Sequence, residues 1–389
     1  MKNPTIYKSI LVLAFVFLLT SVGVVLWGEG AGSGVFLILA FVALALGFRG
    51  YNSLKGYSYT VMIFAAAVSA LFYPHLFVEW NGFKFAALII PLIQLIMFGM
   101  GTSMSFNDFV GVVKAPKGVF LGVISHFIIM PLLGFSLANA GMNFFNFSPE
   151  IAAGIILIGC SPNGMASNVI SYLAKANLAL SITITAISTM LAPLVTPLLM
   201  KLLAGQFVEI NVLHMMWDIL KMVIIPIGAG LLFNKLFSGK MKWFDTAMPF
   251  VSMFGIIGII VIITAAGRDS LLNVGLILVV LVLIHNVCGY LLGYWSGRLF
   301  RMNERDCRTI AIEVGMQNGG LASGLAKGMG KIATVGLAPV IFSSFMNITG
   351  SLLASYWHRK PVREDDKERF KEEDDDVIPG QPNLNYLKD

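Results

Sequence analysis

The chain is a succession of long apolar segments joined by short polar connections, and most segments approach the roughly 20 residues that a helix needs to cross a bilayer. Hydrophobic residues make up 57% of the sequence, charged residues make up 12%, and the mean hydropathy is +0.81. Water-soluble proteins of 389 residues do not have this composition. The sequence therefore predicts an all-α polytopic membrane protein. Its twelve apolar segments lie near residues 9–27, 35–48, 59–78, 85–101, 118–140, 150–174, 178–204, 217–236, 246–266, 271–292, 309–330 and 334–356.

Basic residues mark alternate connections between these segments. Because cytoplasmic connections of membrane proteins are enriched in Lys and Arg, the pattern predicts that both termini are cytoplasmic, which agrees with an even number of helices. The first segment, which follows Lys2 and Lys8, is long and lacks a small-residue cleavage site, so we expect a retained helix rather than a signal peptide. The other basic connections contain Arg49, Lys55, Lys114, Lys117, Lys175, Lys235, Lys240, Lys242, Arg298, Arg301, Arg305 and Arg308.

The order of the segments indicates two halves. If residues 1–57 are set aside as two extra N-terminal helices, residues 58–205 and 206–357 each contain five segments. An odd number of helices per half makes the second half enter the membrane from the opposite side, which is the geometry of inverted repeats. Residues 358–389 carry many charges of both signs and are predicted to form a mobile cytoplasmic tail.

The fourth segment of each half is interrupted by helix-breaking and polar residues. The first interruption is GCSPNGMASNV, from Gly159 to Val169, and the second is EVGMQNGG, from Glu313 to Gly320. Interruptions at matching places in two halves predict unwound helices near the middle of the bilayer. Because the second part of each broken helix begins there, its N-terminal N–H groups favour an anionic substrate.

Glu313 is the one carboxylate that lies deep in a predicted helix, and no Lys or Arg is predicted at comparable depth. A charge at that depth costs about 2.5 to 3.5 kcal/mol on insertion scales, so it is expected to have a partner or a transport role. Hydroxyl, amide and carboxylate oxygens suit a small hard cation, which predicts a sodium site. The oxygen-bearing residues near the two interruptions are Ser167, Asn168, Ser181, Thr185 and Gln317.

Motifs of the common enzyme classes are missing from the sequence. It contains no HExxH pair and no phosphate-binding GKS or GKT loop, and the glycine-rich stretch from Gly28 to Gly34 lies between two apolar segments without a preceding strand. A nucleophile pair of Ser167 with His126 would lack an orienting acid. We therefore expect no enzymatic activity, no cofactor and no nucleic-acid partner. An ion channel ranks below a transporter, because one site at crossed helices fits occlusion better than a continuous pore.

Several stretches closely resemble the bacterial members of the bile acid:sodium symporter family. They are MFGMG, GCSPNGMASNVISYLAKANLALSITIT, IAIEVGMQNGGLASGLA and MNITGSLLASYW, and the resemblance covers about residues 58–357. It implies a multi-pass protein of the bacterial inner membrane in which a panel domain moves against a core domain. It also implies that two sodium ions drive the uptake of an organic anion by alternating access. Bile acids and pantoate-like monocarboxylates both belong to the implied substrate class.

The resemblance also implies the residues of each site. The first sodium site would contain Ser167, Asn168, Ser181, Thr185 and Glu313. The second would contain Glu313, the carbonyl groups of Val314 and Met316, Gln317, and the residue at position 126. Three residues match positions that face the substrate, namely Met165, Asn318 and Asn347.

The chain departs from the family pattern at two of these positions, where His126 replaces a Gln and Met165 replaces a Thr. A neutral imidazole nitrogen is a poorer ligand for a hard cation than an amide oxygen, so His126 is expected to weaken the second sodium site. With an ordinary pKa near 6.5, a His between two anions could carry a proton instead. The alternative to sodium symport is therefore a transporter driven partly or wholly by protons.

Overall fold

The computed structural model describes residues 4–27, 30–51, 54–105, 116–237 and 242–360. The predicted tail lies almost entirely outside these ranges, as do Lys2, Lys114 and Lys240. In the described part of the chain, nine helices are long and apolar enough to cross a membrane, and two shorter apolar helices accompany them. The protein is therefore a multi-pass membrane protein dominated by α-helices, as its sequence predicts.

The N-terminal part of the chain, up to residue 204, contains nine helices and one hairpin among the described residues. They are α1 (Pro4–Leu26), α2 (Gly30–Phe48), α3 (Ser58–Phe72), α4 (His75–Val78), β1 (Glu79–Trp80), β2 (Phe83–Lys84), α5 (Ile89–Thr102), α6 (Pro116–Phe145), α7 (Pro149–Cys160), α8 (Ala166–Leu173) and α9 (Leu178–Ala204).

The C-terminal part continues with seven helices in the described ranges. They are α10 (Val212–Ile219), α11 (Ile225–Phe237), α12 (Lys242–Ala266), α13 (Arg268–Leu299), α14 (Glu304–Gly315), α15 (Gly319–Gly328) and α16 (Leu337–His358). One π-helical turn, Leu220–Ile224, joins α10 to α11 without a break in the chain direction.

A small antiparallel hairpin follows the segment predicted near residues 59–78, which ends in the short helix α4. Strands β1 and β2 pair Glu79 with Lys84 and Trp80 with Phe83. The two residues between them, Asn81 and Gly82, have φ values of 47° and 82°. An Asn-Gly pair adopts such positive φ angles readily and favours a tight hairpin turn, so the local sequence explains this departure from an all-helical fold.

The centre of the bundle is formed by the two interrupted helices. Every residue from Ile151 to Cys160 in α7 and from Cys307 to Gly315 in α14 is buried. Helix α14 packs against α6 and α13, and α7 packs against α6, α9 and α16. Helices α1 and α2 pack mainly against each other at the periphery, where α2 also contacts α3. The broken segments therefore lie where the surrounding helices can satisfy their backbone groups.

At each end of the bundle, polar contacts connect the two broken helices. At the end that contains Lys175, the Asn177 backbone N–H donates to Thr309 Oγ1 at 2.9 Å, and Asn177 Nδ2 donates to Asp306 Oδ1 at 2.9 Å. At the end that contains Lys331, the Lys331 ammonium pairs with the Glu150 carboxylate, which also accepts from Thr334 Oγ1 at 2.6 Å. We call these the Lys175 end and the Lys331 end.

Candidate ion and anion site

The breaks in the two central helices meet at one crossing. The Gly164 N–H donates to the Met316 carbonyl at 3.1 Å, and the Asn318 N–H donates to the Pro162 carbonyl at 2.8 Å. A proline disfavours helical geometry in the residue before it, which explains why α7 ends ahead of Pro162. A Cβ atom on Gly164 would lie 2.5 Å from the Gln317 carbonyl oxygen, so only glycine permits this close approach.

The residues predicted for the first sodium site lie together around Glu313. Ser181 Oγ lies 2.5 Å from Glu313 Oε1, and Thr185 Oγ1 donates to Glu313 Oε2 at 2.9 Å. Asn168 Oδ1 accepts from Ser181 at 2.8 Å, and Ser167 Oγ lies 3.3 Å from Thr185 Oγ1. All of them are buried except Asn168, which is partly buried. Three helices, α8, α9 and α14, thus supply one compact group of oxygen atoms.

The Glu313 carboxylate has hydroxyl partners but no cationic one. Within the described ranges, none of the ion pairs involves Glu313. A buried carboxylate that lacks a counter-charge is costly, and oxygen ligands around it suit a hard monovalent cation. The arrangement can therefore bind a small cation that would neutralise Glu313.

The residues predicted for the second sodium site are close to the same crossing, and their carbonyl groups and the His126 ring already have protein neighbours. The Val314 carbonyl accepts from Gln317 Nε2 at 2.9 Å, and the Met316 carbonyl accepts from Gly164. His126 Nε2 lies 2.8 Å from the Ser161 carbonyl oxygen, and its Nδ1 lies 3.3 Å from the Glu313 carbonyl oxygen. His126 thus lies between the ends of the two broken helices.

Asn163 is a polar residue at the crossing that the sequence pattern did not single out. Its Nδ2 donates to the Glu313 carbonyl oxygen and lies 3.0 Å from His126 Nδ1. Since an amide NH₂ can only donate, His126 Nδ1 accepts this bond and the Nε2–H donates to Ser161, which is the neutral form of the ring. The Ser-Pro-Asn-Gly order in the first interruption was the available signal, because it places an amide at the point of the break.

Polar side chains on the intact helices complete the crossing. Thr196 Oγ1 donates to the Cys160 carbonyl at 2.7 Å, and Asn286 Nδ2 donates to the Gly315 carbonyl at 2.8 Å. Thr349 Oγ1 in turn donates to Asn286 Oδ1 at 2.5 Å. These bonds satisfy the last carbonyl groups of α7 and α14, which would otherwise be unpaired in an apolar interior.

Three glycines on α13 bring that helix against the second broken helix. Gly289, Gly293 and Gly297 recur at every fourth position, a spacing that predicts close helix approach. A Cβ atom on Gly293 would lie 2.9 Å from Val314 Cβ, and one on Gly297 would lie 3.0 Å from Cys307 Sγ. The predicted close packing is confirmed, and its partner is α14.

The residues predicted to face the substrate differ in exposure. Met165 is 37% exposed, Asn347 is partly buried, and Asn318 is buried. Asn318 Oδ1 caps α15 by accepting from the Leu321 N–H at 3.0 Å, and Asn347 Nδ2 donates to Ser343 within its own helix at 2.9 Å. Met165 and Asn318 thus lie at the N-termini of α8 and α15, whereas Asn347 lies in the middle of α16.

Two further charges, Asp218 and Lys221, lie within a helix, and the Lys221 side chain is 45% exposed whereas Glu313 is buried. Helix α10 begins at Val212 rather than near residue 217, so Asp218 lies within it and Lys221 lies in the π-helical turn that follows. Lys221 Nζ lies 3.5 Å from Asp218 Oδ1 and 5.7 Å from the Trp217 ring centre. Lys221 pairs with its own helix and does not contact Glu313.

Comparison with known proteins identifies a family for the chain. A profile described as the Sodium Bile acid symporter family matches residues 90–274. An uncharacterised sodium-dependent transporter of Bacillus subtilis, YocS, is 39% identical over 313 residues, which are 80% of this chain and 94% of the relative. Two probable sodium/metabolite cotransporters of Arabidopsis thaliana chloroplasts are also similar. The first, BASS1, is 33% identical over 70% of this chain and 67% of the relative. The second, BASS5, is 34% identical over 77% of this chain and 74% of the relative. The chain therefore belongs to the sodium bile acid symporter family.

Proposed function

We propose that the protein is a sodium-coupled symporter that imports an organic anion by alternating access. The observation that carries this proposal is the buried Glu313 carboxylate. It has three hydroxyl neighbours from α8 and α9, namely Ser167, Ser181 and Thr185, and no cationic partner among the described residues. Sodium supplies the missing charge. The names of the relatives, which describe sodium-dependent transport, support the same choice of ion.

The anion binds where the second half-helices α8 and α15 begin, next to the crossing. Helices α8 and α15 both begin there, at Ala166 and Gly319, and their N-termini carry positive partial charge. Met165 offers an exposed apolar surface beside them. A carboxylate attached to an apolar body fits this combination, so bile acids and pantoate-like monocarboxylates are the substrates to test.

Two inverted five-helix repeats, residues 58–205 and 206–357, build this site. Three pairs of equivalent features support the repeats, and all three pairs are separated by the same interval along the chain. Ser148 and Asn303 cap the first half-helices, which end at Cys160 and Gly315. Lys175 and Gly330 follow the second half-helices with positive φ values of 53° and 70°. Residues 1–57 add two helices outside the repeats.

The two second half-helices differ in how they are covered, which supports alternating access. Helix α15 packs against α5 and α10, where a Cβ atom on Gly324 would lie 2.6 Å from Ile93 Cδ1. Helix α8 packs against α9, α14 and α16 and leaves Met165, Val169 and Leu173 about 40% exposed. The packed face of α15 fits a site closed toward the Lys331 end, and the exposed face of α8 fits a site open toward the Lys175 end.

The Lys175 end faces the cytoplasm of the bacterial cell. By the order of the helices, this end contains Arg49, Lys55, Lys117, Lys175, Lys235, Arg298, Arg301 and Arg305, while the opposite end contains Lys84, Lys201, Arg268, Lys327 and Lys331. Cytoplasmic connections are the more basic ones. Both termini then lie inside, and the conformation is open inward. Because substrate is transported unchanged, the site needs no catalytic group and no cofactor.

Uptake by reconstituted vesicles tests the proposal. Purified protein in liposomes should accumulate a radiolabelled organic monocarboxylate when an inward sodium gradient is imposed, and not when an equal potassium gradient replaces it. Ser188 is a matched control residue, because it is buried on α9 and its Oγ donates to the Thr185 carbonyl rather than to Glu313. Glu313→Ala should abolish sodium-driven accumulation, and Ser188→Ala should retain it. Accumulation that follows a proton gradient alone would support the proton-driven alternative.

A further inference from the structure

Asn163 and Gln317 face each other at the crossing of the broken helices. They form an antiparallel bridge that is flanked by the two backbone bonds from Gly164 and Asn318. Directly opposed residues in such a bridge have their Cβ atoms about 4.5 to 5.5 Å apart and their side chains on the same face. The two side-chain amides are therefore neighbours.

The orientation of both amides is determined by their NH₂ groups. Asn163 Nδ2 donates to the Glu313 carbonyl oxygen, and Gln317 Nε2 donates to the Val314 carbonyl oxygen. Turning either amide over would place an oxygen against a carbonyl oxygen, which is unfavourable. Asn163 Oδ1 and Gln317 Oε1 must then point away from these carbonyl groups.

Both oxygens are buried and lack a donor. Asn163 and Gln317 are completely buried, and neither Asn163 Oδ1 nor Gln317 Oε1 has a hydrogen-bond partner among the described residues. Each unpaired buried acceptor costs about 1 to 3 kcal/mol. His126, the nearest ring, does not relieve either oxygen, because its two nitrogens are used by Ser161 and by the Asn163 Nδ2. Two neighbouring side chains at the crossing thus each carry a buried oxygen without a partner in the described part of the chain.

A cation fits this place better than a neutral donor. Helices α7 and α14 both end at the crossing, at Cys160 and Gly315, and helix C-termini carry negative partial charge. Amide and carbonyl oxygens are ligands for hard monovalent cations in unwound membrane helices. We propose that Asn163 is a sodium ligand, and that its Oδ1 and Gln317 Oε1 together bind the second sodium ion. This inference rests on the sodium-coupled function proposed above, and it assigns to Asn163 the oxygen that His126 cannot supply.

Sodium binding to the purified full-length protein tests the inference. The rise in Tm would be measured as a function of sodium concentration, with potassium keeping the ionic strength constant. The native protein should give a sodium Hill coefficient near two, and Asn163→Ala should give a coefficient near one. Asn286→Ala is the matched control, because Asn286 also donates to a carbonyl at the crossing but its oxygen already accepts from Thr349. It should lower Tm and keep a coefficient near two.

The outcomes separate this inference from the proposed function. If the native protein shows no sodium-specific rise in Tm, sodium coupling itself is wrong. If Asn163→Ala lowers Tm but keeps the native sodium coefficient, a water molecule occupies the two oxygens and the inference fails. Asn163→Asp provides a second variant should the alanine variant not fold. A carboxylate at a cation site should increase the sodium-induced rise in Tm, whereas a smaller rise than in the native protein would contradict the inference.

Discussion

The Ser181 hydroxyl lies 2.5 Å from the Glu313 carboxylate, although 132 residues separate them along the chain. Glu313 lies two residues before the end of the half-helix α14, while Ser181 lies in the first turn of the intact helix α9. The contact is completely buried. It brings a carboxylate of the second half of the chain into an oxygen cluster built by the first half, so any cation bound there holds both halves together.

Removing the Glu313 carboxylate should therefore remove sodium-dependent stabilisation. A ligand that binds only the folded state at 100 times its Kd stabilises it by about 2.7 kcal/mol. Glu313→Ala should lose that increment in a thermal-unfolding titration with sodium, and it should lose sodium-driven uptake while remaining inserted in the membrane. Ser188→Ala, one turn beyond the cluster, should retain both. Sodium-stimulated uptake in Glu313→Ala would show that the ion lies elsewhere.

The sequence predicted this cluster because its chemistry is rare in a membrane segment. A carboxylate inside an apolar run, two runs of Pro, Gly and amides, and the hydroxyls of Ser181 and Thr185 are visible without a structure. The resemblance to the family then assigned these residues to one sodium site. The helical segments were equally predictable from the sequence, since the thickness of the bilayer and the apolar composition determine them. The hairpin at Asn81 and Gly82 was overlooked because it lies in the short gap between the apolar segments 59–78 and 85–101.

The contacts across the crossing could not be predicted from the sequence. Asn163 is one amide among many in the chain, and only the three-dimensional bridge to Gln317 leaves its oxygen without a donor. Asn286 and Thr196 lie on intact helices, and nothing in their local sequence shows that they cap Gly315 and Cys160. Such partners depend on how distant helices pack, which periodicity and composition do not encode.

The proposed orientation predicts which connections face each side of the membrane. In a variant without Cys160, Cys288 and Cys307, single cysteines placed in the connection 235–242 should react with an impermeant maleimide only from the cytoplasm. Single cysteines placed in the connection 144–148 should react only from outside, because α6 and α7 meet at the Lys331 end. Labelling of intact cells compared with inverted vesicles measures this. The opposite pattern would reverse the topology.

His126 distinguishes two modes of coupling. The sequence hypothesis assigns a proton to His126 and predicts one sodium per cycle, with uptake favoured at low external pH. In the structure, however, His126 Nδ1 accepts from Asn163 and Nε2 donates to Ser161, so the neutral ring is fully satisfied. We therefore expect a sodium coefficient near two in the native protein and the same coefficient in His126→Gln.

The measurement for His126 is the sodium Hill coefficient of uptake at several external pH values. A native coefficient near one that rises toward two in His126→Gln, together with a loss of pH dependence in that variant, would support mixed sodium and proton coupling instead. Thr196→Val is the matched control, since Thr196 likewise donates to a carbonyl at the crossing but cannot titrate. It should leave both the coefficient and the pH dependence at native values.

The glycine face of α15 should control opening at the Lys331 end. A Cβ atom on Gly324 would lie 2.6 Å from Ile93 Cδ1 and 3.0 Å from Met222 Sδ, so a larger side chain has no room while that end is closed. Overpacking costs about 1 to 3 kcal/mol, which changes a two-state equilibrium by about 5- to 150-fold. Gly324→Leu should therefore shift the protein toward an outward-open state.

Cysteine reactivity reports this shift at both ends. Met215 is buried near α15, and Val169 is exposed on α8, so each serves as a reporter when replaced by Cys. Gly324→Leu should raise the labelling rate of Met215→Cys from outside several-fold and lower that of Val169→Cys from the cytoplasm. Gly228→Leu is the control, because no atom lies within 4 Å of a Cβ added at Gly228. Native rates at both reporters in Gly324→Leu would mean that the contact of α15 with Ile93 and Met222 is not the outer gate.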